Sequence, residues 1–306
     1  MYSKKPILVT GSHRSGSSWV GKILATSPSV RHIREPFNIN HPQCSCGCKF
    51  NFWYQYISPE NEAIFYDHLK HTFGLAYNFR GDIKIENNPN SFLELLTKSS
   101  KFMLRNIIGI RPLVKDPMAF FSARWLAATF NMHVVVLIRH PAAFVSSLKR
   151  LNWVFPYSHF LEQPLLMKDY LQPFADEIAK YCEEEYDIID QASLLWRIIH
   201  YYIDEYQKNY PDWIFIRHED ISRHPLILFQ KLFNALNLDY TEAIEKTILD
   251  YSRVNDRKQD YEAGELKRHS QKNIELWKSR LTPSEIERVR TQVEDISIKF
   301  YCSEDW

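Results

Sequence analysis

Gly11 and Gly16 frame the segment Thr10-Gly11-Ser12-His13-Arg14-Ser15-Gly16-Ser17-Ser18-Trp19, which has the GxxxxG spacing of a phosphate-binding loop. Such a frame holds an anion because backbone N–H groups and the start of the following helix surround it with donors. The position after Gly16 is Ser17, where a nucleotide triphosphatase carries the lysine that bridges β- and γ-phosphates. Its absence argues against ATP or GTP hydrolysis, and the cation of this loop is Arg14 instead. The hydroxyls of Ser15, Ser17 and Ser18 add further donors. GxxxxG alone fits an empty strand-to-helix turn equally well; the arginine and the hydroxyls tip the balance to an anion site.

A second cluster lies at Ile138-Arg139-His140-Pro141. Arg139 follows an apolar, β-branched run, so it falls at the carboxyl end of a strand, where open α/β sheets bind ligands. Ser147 comes about two helical turns later, with Lys149 and Arg150 nearby. Taken alone, a capped helix start with solvated basic residues would explain these residues. Two anion sites on one sheet suit a ligand with phosphate groups at both ends, such as a nucleotide substituted at 5′ and 3′.

The elements that must position these residues are legible from apolar runs. Pro6-Ile7-Leu8-Val9-Thr10 and Val134-Val135-Val136-Leu137-Ile138 read as buried parallel strands. Val30 to Ile33 and Trp213 to Ile216 supply further strands, and Arg111-Pro112-Leu113-Val114-Lys115-Asp116-Pro117 reads as a strand end that stops at Pro117. Helical spacing follows at Trp19, Val20, Ile23 and Leu24, at Glu60 to Thr72, at Phe92 to Lys98, and at Phe121, Trp125 and Ala128. Pro141 opens a helix to about Leu151, Asp187 to Gln207 reads as a long helix, and Pro225 opens another. Residues 153–180 read as an insertion, and Arg253 to Asn273 as a charged loop. Strands alternating with helices predict a P-loop-type α/β fold: a parallel sheet with helices on both faces and helical insertions. No linker divides the chain, so residues 1–306 read as one domain.

The chain has 306 residues, with 38 Lys plus Arg against 37 Asp plus Glu. So even a balance argues against a bulk polyanion binder such as a non-specific nucleic-acid protein, and local clusters must supply any anion affinity. No apolar run is long enough to span a bilayer. The amino terminus runs straight into a strand without a signal-like core, so a cytoplasmic protein is expected. Five cysteines exclude a complete intramolecular disulfide framework. Cys44, Cys46 and Cys48 are spaced more tightly than usual zinc ligands, and reduced thiols in a turn are the plainer account.

These motifs resemble the sulfotransferases that use 3′-phosphoadenosine-5′-phosphosulfate (PAPS). Arg14-Ser15-Gly16-Ser17-Ser18-Trp19 is similar to the family's 5′-phosphosulfate loop, and Ile138-Arg139-His140-Pro141 through Ser147 to its 3′-phosphate motif. Ile216-Arg217-His218-Glu219-Asp220-Ile221 and Trp277-Lys278 through Leu281-Thr282 resemble later family segments. The resemblance implies that Arg14 and the loop amides bind the phosphosulfate, that Trp19 helps position the adenine, and that Arg139 and Ser147 hold the 3′-phosphate. It implies PAPS as donor, the bisphosphate PAP as product, and no metal.

A hydroxyl acceptor needs a base as its bond to sulfur develops. Phenol- and steroid-type relatives carry a His before a mid-chain Pro, but here the segment is Val114-Lys115-Asp116-Pro117. Carbohydrate-type and several bacterial relatives instead carry a Glu after the first helix, which Arg34-Glu35-Pro36-Phe37 resembles. Glu35 is therefore the expected base, with a surface salt bridge to Arg34 or Arg31 as its plain alternative. Lys115 is placed either against the sulfuryl or bridging oxygen or in a pair with Asp116. His13 is the reserve base, followed by His140 and His218. Phe37, Phe50, Phe52, Trp53, Tyr54 and Tyr56 form either a stacking platform for a saccharide or glycoconjugate acceptor or a buried aromatic cluster. The rival functions are a P-loop kinase and a nucleotide-binding module without sulfuryl transfer.

Overall fold

The computed structural model describes residues 5–40, 50–74, 110–252 and 274–306. Five strands form one sheet: β1 (Ile7–Gly11), β2 (Val30–Arg34), β3 (Arg111–Lys115), β4 (His133–Ile138) and β5 (Ile214–Arg217). Their order is β2-β3-β1-β4-β5, and every pairing is parallel. The chain leaves β1 for one edge, returns through β3, and crosses to β4 on the other side. β1 is thus central, and its carboxyl end opens where the winding changes direction, the place where α/β sheets take ligands.

Side-chain alternation along these strands divides the core in two. Ile7, Val9, Leu113, Val135 and Leu137 face one layer with Val20, Ile23, Phe229, Phe233 and Ile248. Leu8, Val114, Val134, Val136 and Ile138 face the other with Leu126, Phe144, Leu195, Ile199 and Val293. Burial on both faces explains why these strands read as continuous apolar runs rather than alternating ones. The first layer is built on the helices Ser17–Leu24, Pro225–Ala235 and Glu242–Ser252. The second uses Ala123–Phe130, Pro141–Leu151, Ile188–Asn209 and Pro283–Ser297.

The strands expected from sequence all appear, with ends shifted by one or two residues; β3 ends at Lys115 because Asp116 turns to cap the 3₁₀ turn Pro117–Ala119. The expected helix over Glu60 to Thr72 is a 3₁₀ turn (Glu62–Ile64) followed by a helix (Tyr66–Thr72). Short helical pieces fill residues 158–183. The expected helix at Phe92 to Lys98, the loop Arg253 to Asn273 and the three clustered cysteines lie outside the described residues. Among the described residues no helix is long and apolar enough to cross a membrane, and no group of three His, Cys, Asp or Glu is placed to hold a metal ion.

Candidate active site

The loop after β1 is shaped by its backbone. Arg14 (φ 62°) and Gly16 (φ 90°) are both left-handed, which turns the chain sharply between strand and helix. Gly16 is the cap of the helix Ser17–Leu24; its carbonyl accepts from the Trp19 N–H at 2.9 Å, but it offers no side chain to cap the amides of Ser17 and Ser18. The hydroxyls of Thr10, Ser12 and Ser15 are buried with no hydrogen-bond partner among the described residues. Buried polar groups ordinarily find partners, so three orphans beside a helix start fit an anion as the missing acceptor. Ser17 is buried, whereas Ser18 and Trp19 are half-buried. The Trp19 ring meets Phe229 edge-on at 5.2 Å, and its indole N–H is also without a partner among the described residues.

The two clusters expected from sequence to bind anions are physically joined. Arg14 Nε donates to Ser147 Oγ at 3.0 Å, and Arg139 Nη1 donates to the Arg14 carbonyl at 3.2 Å. Ser147 is presented by the buried face of Pro141–Leu151. Arg139 is held through its own backbone: its carbonyl accepts from Trp196 Nε1 at 2.8 Å, and its N–H donates to His200 Nε2 at 3.5 Å. Burial draws the Arg139 guanidinium down from the usual arginine range, and the carboxylate of Glu219, 3.8 Å from its Nε, opposes that. Lys149 is not part of this cluster; it pairs with Glu285 at 2.6 Å, and Arg150 is exposed.

Glu35 and Lys115 form the second group. Pairing of β2 with β3 sets Arg34 opposite Lys115, and Glu35 N–H donates to the Lys115 carbonyl at 2.8 Å. Glu35 then turns left-handed (φ 46°), and its Oε1 accepts from Lys115 Nζ while Oε2 accepts from Asn38 Nδ2 at 3.0 Å. This corrects both plain alternatives: Glu35 pairs with Lys115 rather than with Arg34 or Arg31, and Lys115 pairs with Glu35 rather than with Asp116. The register is the reason, because strand β3 brings Lys115 directly beside the turn. Asp116 has another task. Its carboxylate accepts from the backbone N–H of Phe37 at 2.6 Å and of Met118 at 2.9 Å, clamping the Glu35 turn to the end of β3.

Burial pushes the Glu35 carboxyl up, but the Lys115 ammonium and the Asn38 amide outweigh it and hold the group below its ordinary value of 4.5. The Lys115 ammonium is drawn down by its own burial, with Glu35 opposing. A carboxylate depressed in the folded state stabilises the fold above the unfolded pKa, and that contribution disappears as pH falls through the folded value. Chemical denaturation between pH 6 and 3 is therefore expected to show a stability gap between the unaltered protein and Glu35→Gln that narrows below about pH 4.5. An undiminished gap at pH 3 would contradict the ion pair.

His13 is 3% exposed, and its Nδ1 lies 2.7 Å from Tyr54 Oη. Burial and the adjacent Arg14 keep its pKa far below that of a free imidazole. His140 is sandwiched against Trp277 (4.9 Å) and Tyr301 (4.8 Å), and burial pushes it down to about 3. The imidazole of His218 abuts Gly16. Phe37, Phe50, Tyr54 and Tyr56 are core residues, and only Phe52 and Trp53 of that aromatic set are half-buried. Most of the set is thus the buried cluster rather than a platform. Sequence reasoning missed Tyr54, Trp196, His200 and Tyr301 as supports of the site; each reaches it across the fold, and no local pattern marks them.

A model of the sulfotransferase family matches residues 6–242, and the chain belongs to that family. Sulfuryl transfer is therefore its class of reaction. Among solved structures, the sulfotransferase domain of the olefin synthase of Synechococcus PCC 7002 is 16% identical, with a TM-score of 0.50, covering 99% of this chain and 97% of that one. The sulfotransferase domain from the curacin biosynthetic pathway is 16% identical with a TM-score of 0.49, covering 96% and 99%. The mouse sulfotransferase SULT7A1 complexed with PAP is 12% identical with a TM-score of 0.44, covering 96% and 85%. At these identities the olefin synthase domain supports the fold alone, and the other two carry no argument. No curated protein sequence matches the chain.

Proposed function

We propose that the chain moves a sulfuryl group from PAPS to a hydroxyl acceptor, with Glu35 as the general base. The observation that carries the donor assignment is the joining of Arg14, Ser147 and Arg139 beside three orphaned loop hydroxyls. A nucleotide bearing phosphate at both ends would lie along that line. Its phosphosulfate would meet Arg14 and the first-turn amides, and its 3′-phosphate would meet Arg139 and Ser147, with the adenine near Trp19.

In this scheme the acceptor oxygen forms a bond to sulfur as the bond from sulfur to the bridging phosphate oxygen breaks. The acceptor proton passes to the Glu35 carboxylate, and Arg14 offsets the charge gathering on the departing phosphate. Glu35 is ionised at neutral pH because Lys115 holds it so, and the same lysine lies close enough to the turn to meet the sulfuryl oxygens. His13 and His140 are buried imidazoles, which favours Glu35 over both. No group in the scheme calls for a metal. The Glu-bearing turn favours a saccharide or glycoconjugate acceptor, and Trp53 is half-buried rather than packed in the core. A single domain in the cytoplasm would suit the donor.

Calorimetric titration tests the donor. The bisphosphate product is expected to bind the unaltered protein at least tenfold more tightly than ATP, and Arg14→Ala to weaken it by roughly tenfold, the worth of one charge-assisted contact. Tighter binding of ATP would overturn the proposal in favour of kinase chemistry. Binding without sulfuryl transfer to any hydroxyl acceptor would leave only a nucleotide-binding module.

A further inference from the structure

The family match ends at residue 242, yet a side chain from the segment after the helix Pro283–Ser297 reaches the proposed donor site. The Tyr301 hydroxyl donates to Glu219 Oε2 at 2.9 Å. Glu219 is 3% exposed; its Oε1 accepts from the His140 N–H at 3.1 Å and faces Arg139 Nε across 3.8 Å. Arg139 in turn holds the Arg14 carbonyl. Tyr301 is brought there by packing that owes nothing to its own hydroxyl. The helix Pro283–Ser297, opened by a Thr282–Glu285 capping box, buries Val289 and Val293 in the core and pairs Glu285 with Lys149.

We infer that Tyr301 is a positioning residue for anion binding at Arg139, restraining Glu219 so that this carboxylate aligns the guanidinium without closing on it. The inference rests on the proposed donor, because the anion concerned is its 3′-phosphate. The separation of 3.8 Å exceeds the 2.7–2.9 Å of a direct charge-assisted bond, so Arg139 keeps donors for another acceptor. A buried carboxylate oxygen that loses its partner must find another, and the nearest cation is Arg139. Glu219 would then occupy the donors that a phosphate needs. The phenol can serve as a permanent donor: burial first, and the Glu219 charge second, hold Tyr301 well above the usual tyrosine range.

Tyr301→Phe removes one atom and keeps the ring that packs against His140, so the fold is retained. Calorimetry with 3′,5′-bisphosphoadenosine is expected to show about fivefold weaker binding, a fraction of what a lost bond to a charged group is worth. Binding of 5′-AMP, which lacks the 3′-phosphate, should change by less than about twofold. The donor KM should rise with the bisphosphate Kd while kcat moves less. In a Glu219→Gln background the same Phe substitution should cost less than about twofold, because a neutral amide does not compete for Arg139. Equal losses for both nucleotides, no loss for either, or an undiminished loss in the Gln background would each overturn the inference. Failure of the unaltered protein to bind either nucleotide would instead reject the proposed donor, and this inference with it.

Discussion

Turnover by Glu35→Gln is expected to fall by about a hundredfold or more at saturating donor, the usual contribution of a general base. The substitution keeps the shape of the side chain and leaves an oxygen for the Asn38 amide, so the turn that carries it persists. What it removes is the proton acceptor and the negative charge beside Lys115, which is 1% exposed. An ammonium left without its partner in a buried place costs stability, by about 3–5 kcal/mol where burial is complete and less here, because Glu35 is 19% exposed. Two measurements separate these effects. Bisphosphate affinity, which the proposed scheme assigns to Arg14, Arg139 and Ser147, should stay within about threefold of the unaltered protein, whereas the single-turnover rate should not. A rate equal to that of the unaltered protein would remove Glu35 from the mechanism and leave it as the counterion of Lys115.

Gly11→Ala is expected to produce the largest loss of stability of any single methyl addition in the loop after β1. Gly11 pairs with Leu137 in the register of β1 and β4, and a Cβ at this position would lie 2.3 Å from the Leu137 carbonyl oxygen and 2.9 Å from its nitrogen. Those atoms belong to the backbone of the neighbouring central strand and cannot rotate away. The residue also has φ 127°, a conformation that side-chain-bearing residues rarely adopt. Strain of about 1–3 kcal/mol at such a backbone adds to about 1–3 kcal/mol for overpacking, so a total near 4 kcal/mol is expected. Denaturant midpoints would measure it, and a variant within about 1 kcal/mol of the unaltered protein would show that the β1–β4 pairing can slide there.

The parts of this protein legible in its sequence are those governed by neighbours along the chain. Ile7 to Val9 and Val134 to Ile138 are buried on both faces, so their apolar runs are unbroken and stand out. Gly11, Arg14 and Gly16 announce their turn because all three have positive φ and glycine stands at two of them, at fixed spacing. The helix opened by Pro141 follows from the fixed φ of proline at a first turn. The pairing of Glu35 with Lys115 could not be read, since it depends on β3 inserting between β1 and β2, and nothing local states a strand's neighbours. The joining of Arg14 to Ser147 was suggested only as two separate anion contacts. Tyr301 left no trace at all, because a tyrosine at the end of a helical segment looks like any core aromatic until Glu219 is found beside it. The aromatic stretch around Tyr54 was ambiguous for the same reason: composition cannot distinguish a packed ring from a stacking surface.

The bond from Arg14 to Ser147 also bears on how the chain reaches its native state. It spans 133 residues of sequence, and the contact from Arg139 to the Arg14 carbonyl spans 125. Closing loops of that length costs entropy before any contact repays it, so the sheet must be assembled and β4 docked beside β1 first. A chain emerging from the ribosome would therefore make the Gly11–Gly16 loop early and its contacts with Arg139 and Ser147 late. Until residue 147 has emerged and packed, the loop has its glycines and its arginine but lacks the Ser147 hydroxyl that accepts from Arg14 Nε.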